Sequence, residues 1–280
     1  MKLASFRHNG KNTFGMVDGD TLVDLGAAGL GDTLRQFITL GHHRHAPPGV
    51  ADMARIPVSD VQFLPVIPDP GKILCVGINY ASHVRETGRE TPKFPMFFTR
   101  FADTQTGHGQ AIVRPNVSDK LDFEGELAVV VGRAARHVKA GEALDYVAGY
   151  ACYNDGSVRD WQKHTIQFTP GKNFPSTGGF GPWLVTADEV GDPSRLALTT
   201  RLNGEVVQHA KTDDLIFSIA VLIEYCSTFT QLNPGDVIIT GTTGGVGAFR
   251  EPPLWMKPGD VVEVEISGIG TLVNHIAQEP

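Results

Sequence analysis

Apolar residues in this chain fall mostly in short runs separated by turn signals, with the period-two spacing that strands need. Up to about residue 68 the runs are brief: Thr13-Phe14-Gly15-Met16-Val17, a Gly19-Asp20 turn, then Thr21-Leu22-Val23-Asp24-Leu25. A short helix is expected from Asp32, because Leu34, Phe37 and Ile38 share a face. Pro65-Val66-Ile67-Pro68-Asp69-Pro70-Gly71 interrupts the chain, and longer, more apolar runs follow. Residues 72–77 read as the first buried strand of a main domain, with later strands at 125–132, 182–186, 197–203, 236–241 and 260–266. One strong helix is predicted from Asp214 to Gln231. Its apolar face is Leu215, Ile216, Ile219, Leu222, Ile223 and Cys226, and Asn233-Pro234-Gly235-Asp236 stops it. Strands dominate without regular β-α alternation, which predicts a β-rich mixed α/β fold. We divide it into a small N-terminal domain, 1–68, and a main domain, 69–280.

The run Leu121-Asp122-Phe123-Glu124-Gly125-Glu126-Leu127-Ala128-Val129-Val130-Val131 departs from this apolar pattern. Alternate residues of a strand share a face, so Glu124 and Glu126 project together, and the apolar continuation turns that face inward. Two like charges there need a cation or a shared proton. Asp155 follows 29 positions after Glu126. Three hard oxygen donors describe a Mg²⁺ or Mn²⁺ site. A solvated outer face or a salt-bridged structural cluster would produce the same spacing.

Bulk properties narrow the setting. Hydrophobic residues make up 41% and charged residues 20%, an ordinary globular composition, and the formal charge of -7 argues against nucleic acid or an anionic membrane as partner. No apolar stretch reaches membrane-span length and the start lacks a signal-peptide apolar region, so a cytoplasmic location is expected. Cys75, Cys152 and Cys226 are far apart in apolar contexts and read as buried thiols. His42, His43 and His45 lie in a Pro-flanked polar run and read as solvated surface. The turn Gly241-Thr242-Thr243-Gly244-Gly245-Val246-Gly247 lacks a Gly-Lys-Ser/Thr ending, and suits close approach of backbone amides and the Thr242 hydroxyl to an anionic ligand.

Taken together, six pieces resemble the fumarylacetoacetate hydrolase family in kind and order. They are Gly77-Ile78-Asn79-Tyr80-Ala81-Ser82-His83-Val84-Arg85-Glu86, Phe123-Glu124-Gly125-Glu126-Leu127, Asn154-Asp155-Gly156-Ser157-Val158-Arg159-Asp160, Gly171-Lys172-Asn173-Phe174, Gly181-Pro182-Trp183 and the 241–247 glycine turn. The resemblance covers about residues 70 to 275. It implies a β-sandwich roll, a homodimer, and Mg²⁺ or Mn²⁺ (Ca²⁺ as a substitute in crystals) at Glu124, Glu126 and Asp155. The implied substrates are small 2-oxo or 2,4-dioxo acids, and the reactions include acylpyruvate hydrolysis, oxaloacetate decarboxylation and hydroxymuconate isomerisation. All pass through an enol or enolate beside a carboxylate, which a chelated cation stabilises.

Further roles follow from the resemblance. Lys172 supplies a positive donor to the substrate. His83 and Glu86, three apart in a lid segment, form a dyad that deprotonates water. Tyr80, Arg100, Arg159, Gln162 and Thr242 are the expected substrate contacts, although Arg159 could instead pair with Asp160. Departures fall around the pocket: Arg100 stands where a lysine is usual, Asn173-Phe174-Pro175-Ser176 follows Lys172, and Thr243 replaces a common proline. The leading expectation is metal-dependent hydrolysis of the carbon–carbon bond in a 2,4-dioxo acid. Decarboxylation or isomerisation in the same site is the alternative. A non-catalytic metal and 2-oxo acid binding protein is a different class, and a two-carboxylate glycosidase fits same-face acids poorly.

Overall fold

The strand Gly125–Val131, buried at all seven residues, organises the molecule, which a computed structural model describes over residues 1–88 and 90–280. It pairs antiparallel with Val147–Asp155 on one side and Val237–Thr242 on the other. Ile73–Gly77 then adds in parallel, and Met96–Arg100 follows it. In the other direction Gly178–Thr186 pairs with Val147–Asp155 and leads to Lys2–His8, Lys11–Asp18, Thr21–Asp24 and Arg55–Pro57. With two short side strands this makes a twelve-stranded sheet. Residues 1–68 and 69–280 therefore share a hydrogen-bonded sheet. They share a core as well, in which Leu3, Phe14 and Phe37 pack with Ala128, Val130 and Tyr153.

A five-stranded sheet, ordered Glu205–Lys211, Ala197–Leu202, Val261–Ile266, Gly270–Gln278 and Ala111–Arg114, covers the opposite face. Leu127, Val129 and Val131 pack there with Leu198, Val264 and Leu272 and with Leu222 and Ile223 of the helix Ile219–Phe229. Alternation along one strand thus serves two cores, and Glu126 falls on the Ala128 and Val130 face. Gly125, on the other face, is required by the close approach of this second layer: a Cβ there would collide with Thr200 Oγ1 and press on Leu198.

Several expectations need revision. Val147–Asp155, the other central strand, is absent from the strand pattern read above because its small and polar residues, Ala148, Gly149, Ala151, Asn154 and Asp155, make neither a long apolar run nor an alternation. The long helix begins at Ile219, not Asp214, since Ser218 caps it by accepting from Val221 N–H. Leu215 and Ile216 lie before it, and Ile216 N–H donates to Asn79 O instead. His43 is buried, not solvated. Burial, with Arg44 beside it, lowers its pKa to about 4. The three thiols are free and buried. No helix among the described residues is long and apolar enough to cross a membrane.

Candidate active site

Strand register brings the acids together. Gly125 lies opposite Asn154, Glu126 opposite Tyr153 on one side and Thr242 on the other, and Asp155 N–H donates to Glu124 O at 2.8 Å. Asn154 Oδ1 accepts from Glu124 N–H at 3.0 Å. One oxygen each of Glu124, Glu126 and Asp155 lies within 4.8 Å of the other two, and all three residues are buried.

The cations around them are unequally shared. Lys172 Nζ lies 2.5 Å from Glu124 Oε2 and 2.6 Å from Asp155 Oδ2. Arg100 Nη1 contacts Asp155 Oδ1 at 2.6 Å. Arg159 reaches Asp122 through Nε at 2.8 Å and Glu124 Oε1 through Nη2 at 2.7 Å, the latter a close ion contact without hydrogen-bond alignment. Glu126 has only the Gly241 N–H, at 2.5 Å, among the described residues. With all groups ionised, four carboxylates face three cations, and the excess negative charge rests at Glu126.

The proton affinities follow from this arrangement. Burial alone would raise the Glu124 carboxyl, but Arg159 and Lys172 outweigh it and hold the group at about 2. At Glu126, burial followed by the Asp155 and Glu124 charges pushes the pKa well above the carboxylate range, and Lys172 and the Gly241 amide offset this only in part. Burial disfavours the Lys172 ammonium, yet Asp155 and Glu124 raise its pKa, so it stays charged. A buried carboxylate without a cation beside two others offers the hard oxygen set and the uncompensated charge that Mg²⁺ or Mn²⁺ requires. The donor set therefore fits the divalent ion, and with it the floor would carry one net positive charge.

Above this floor is a narrow cleft of about 100 Å³. The helix Ala81–Thr87 forms one wall. His83 Nδ1 meets Glu86 Oε2 at 2.9 Å, and Glu86 Oε1 accepts from Gly245 N–H at 2.8 Å. Ser82 N–H donates to Asp214 Oδ2 at 2.9 Å, which secures the start of the helix. The His83 ring sits edge-on to Phe249, centroids 6.0 Å apart.

The expected site residues divide between the cleft surface and its support. His83, Glu124, Glu126, Arg159, Gln162, Lys172 and Thr242 line the cleft. Asp155 lies beneath, tied to Lys172 and Arg100. Arg100 does not line the cleft: it also donates to Gly156 O and Thr177 Oγ1, which makes it a positioning group for Asp155. Tyr80 is likewise outside the lining and fully buried, and its hydroxyl has no hydrogen-bond partner among the described residues. Thr242 Oγ1 donates to Gly125 O and accepts from Gln208 Nε2. Arg159 pairs with Asp122 and Glu124, whereas Asp160 accepts from Ser118 Oγ.

Asp122 is a supporting residue beyond the expected set. It accepts from the Gly247 and Ala248 amides at 2.8 and 2.9 Å and joins the glycine-turn loop to Arg159. Its signal was present, because the period-two spacing of Glu126 and Glu124 continues back to position 122. Phe98, Phe168, Phe249 and Lys163 also line the cleft and carry no local signal of that role.

Comparison with known proteins agrees with this geometry. Residues 72–277 match the family model described as fumarylacetoacetate (FAA) hydrolase C-terminal. The rat protein named oxaloacetate tautomerase Fahd2a, mitochondrial, is 41% identical over 227 residues, covering 81% of this chain and 72% of its own. A putative HpcE protein from Mycobacterium smegmatis superposes with a TM-score of 0.89 at 33% identity, both chains covered in full. Maleylpyruvate hydrolase from Sphingobium sp. SYK-6, solved with manganese(II) and pyruvate, gives 0.84 at 29% identity, again with both chains covered in full. The expectation of a cytoplasmic location is overturned by the rat relative, which is named mitochondrial. With the β-rich fold, the buried triad and a family match over most of its length, the chain belongs to the fumarylacetoacetate hydrolase family.

Proposed function

We propose that this chain transfers a proton at the carbon beside the carbonyl of a 2-oxo acid, interconverting the keto and enol forms of an oxaloacetate-like substrate. The observation that carries this reading is the His83–Glu86 pair, held by Gly245 over a buried acid floor. The name of the rat relative supports the choice of reaction. Bound at Glu124, Glu126 and Asp155, Mg²⁺ or Mn²⁺ would supply Lewis-acid polarisation of the 2-oxo group.

The protein groups divide the remaining work. Glu86 holds the His83 Nδ1 proton, so Nε2 is the nitrogen left to accept or return a substrate proton. Its carboxylate also stabilises the imidazolium formed on transfer. Lys172 keeps positive charge beside the oxygen on which negative charge develops. Arg159 offers N–H donors to the 2-oxo acid carboxylate and Gln162 a further donor on the cleft wall, while Phe168 and Phe249 exclude water.

Carbon–carbon hydrolysis of a 2,4-dioxo acid is the second reading, with the same dyad deprotonating water; the Sphingobium hydrolase supports it. Decarboxylation needs the floor without a proton-transfer dyad. Metal-loaded protein should speed the decay of enol-oxaloacetate absorbance and incorporate deuterium at C3 in D₂O, and His83→Ala should slow both about 10²- to 10³-fold. Stoichiometric cleavage of an acylpyruvate without C3 exchange would select hydrolysis instead. Tight 2-oxo acid binding with neither reaction would point to a binding protein. We propose a homodimer as the working unit, which light scattering measures directly.

A further inference from the structure

The cations at the cleft differ in how they are occupied. Lys172, Arg159 and Arg100 are buried and each contacts at least one carboxylate. Lys163 also lines the cleft but is exposed, and it forms no ion pair with any described residue. It directly follows the helical turn Arg159–Gln162. Arg159 Nη1 donates to Gln162 Oε1 at 3.0 Å, which turns the other end of that amide, the Nε2 donor, away from the guanidinium. Gln162 Nε2 and Lys163 Nζ are thus successive donors from one turn, anchored through Arg159 to the acid floor. Apolar wall, supplied by Phe98, Phe168, Ile78 and Phe249, makes up much of the remaining lining.

A ligand filling this cleft therefore meets the cation-binding floor, apolar walls and an uncommitted positive charge. A 2-oxo carboxylate uses the first. A neutral alkyl tail leaves the last unmatched, whereas a second carboxylate is complementary to it. We infer that Lys163 is a specificity-determining residue that selects 2-oxo acids bearing a second, distal carboxylate, with Gln162 as the neutral donor beside it. The inference rests on the 2-oxo acid reading above and adds the residue that reads the second carboxylate of an oxaloacetate-like substrate.

Binding tests it independently of turnover. Calorimetry with Mn²⁺ present would compare 2-oxoglutarate with 2-oxobutyrate for the wild type, Lys163→Ala, Lys163→Glu and Lys163→Arg. The wild type should favour the dicarboxylate, and Lys163→Ala should cut that preference by about two- to fivefold, the range for an ion pair at a solvent-exposed mouth. Lys163→Glu should reverse it and Lys163→Arg should retain it. Raising the ionic strength should erode the wild-type preference and leave that of Lys163→Ala flat, a response that a merely structural role would not produce. Equal loss for both ligands, or an unchanged ratio, overturns the inference, as does a wild type that binds neither. Retained, Lys163-dependent selectivity without any turnover would instead refute only the tautomerase reading.

Discussion

The floor and the rim of the cleft are built by opposite strategies. Glu124, Glu126, Asp155, Lys172 and Arg159 sit at strand ends or on short buried turns, and apart from Glu126 each of their charges meets an opposite one. His83 and Glu86 stand on a seven-residue helix held by the amide contacts of Gly245 and Ser82, and Lys163 is exposed. Burial in a network makes the floor rigid and electrostatically strong, because weak solvent screening magnifies each pair and penalises each missing partner. The rim gives up that strength for access. The comparison teaches that charge stabilisation and substrate choice are separable here, so variants in the two regions should fail in different ways.

The largest effect is expected at Glu126. Glu126→Gln should lose more than about 10³-fold in kcat/KM through loss of Mn²⁺ binding, read by calorimetry beside the activity assay. In EDTA the sign reverses for stability. The folded pKa of Glu126 is raised, so at pH values between the ordinary carboxylate pKa and the raised one the folded state binds more protons than the unfolded state. Metal-free wild type therefore loses stability as pH rises through that window, and Glu126→Gln should be the more stable protein at pH 7, with the difference vanishing below about pH 4. A melting curve in which the variant is weaker at pH 7 would show that Glu126 is neutralised by something other than a cation.

At the rim, His83→Ala should reduce turnover about 10²- to 10³-fold with Mn²⁺ affinity unchanged, and Glu86→Gln should cost roughly tenfold. Coupled loss of metal binding in His83→Ala would erase the distinction between floor and rim. Gly125→Ala tests the layer behind the floor: collision with Thr200 Oγ1 should destabilise by about 1–3 kcal/mol in denaturant titration, through overpacking. The smallest effect is expected for Phe249→Ala, a fewfold rise in KM with little change in kcat, since it is 46% exposed and contributes wall area alone. A large fall in kcat would mean that its edge contact positions His83.

Local pattern carried the acids well. Period two placed Glu124 and Glu126 on one inward face, and the missing side chain at Gly125 did correspond to close packing behind. The same spacing extends back to Asp122. Local pattern was weaker where small and polar residues break up a buried strand, as in Val147–Asp155, and where a cap overrides an apolar run, as at Ser218. His43 reads as surface from its neighbours, yet it is buried, with Gly132 passing close to its ring.

The amino-acid sequence by itself determined the chemistry available: three oxygen donors, a lysine, a histidine with a glutamate one helical turn away, and glycines where chains must approach. These are local properties, set by residue type and short-range periodicity. Only the tertiary structure decided which cation belongs to which acid. Arg159 turned to Asp122 and Glu124 and not to Asp160, Arg100 went beneath the floor, and Glu126 was left, among the described residues, with an amide alone. Such pairings join residues tens of positions apart, and in a buried network they depend on distances of a few ångströms that only the packed sheet sets.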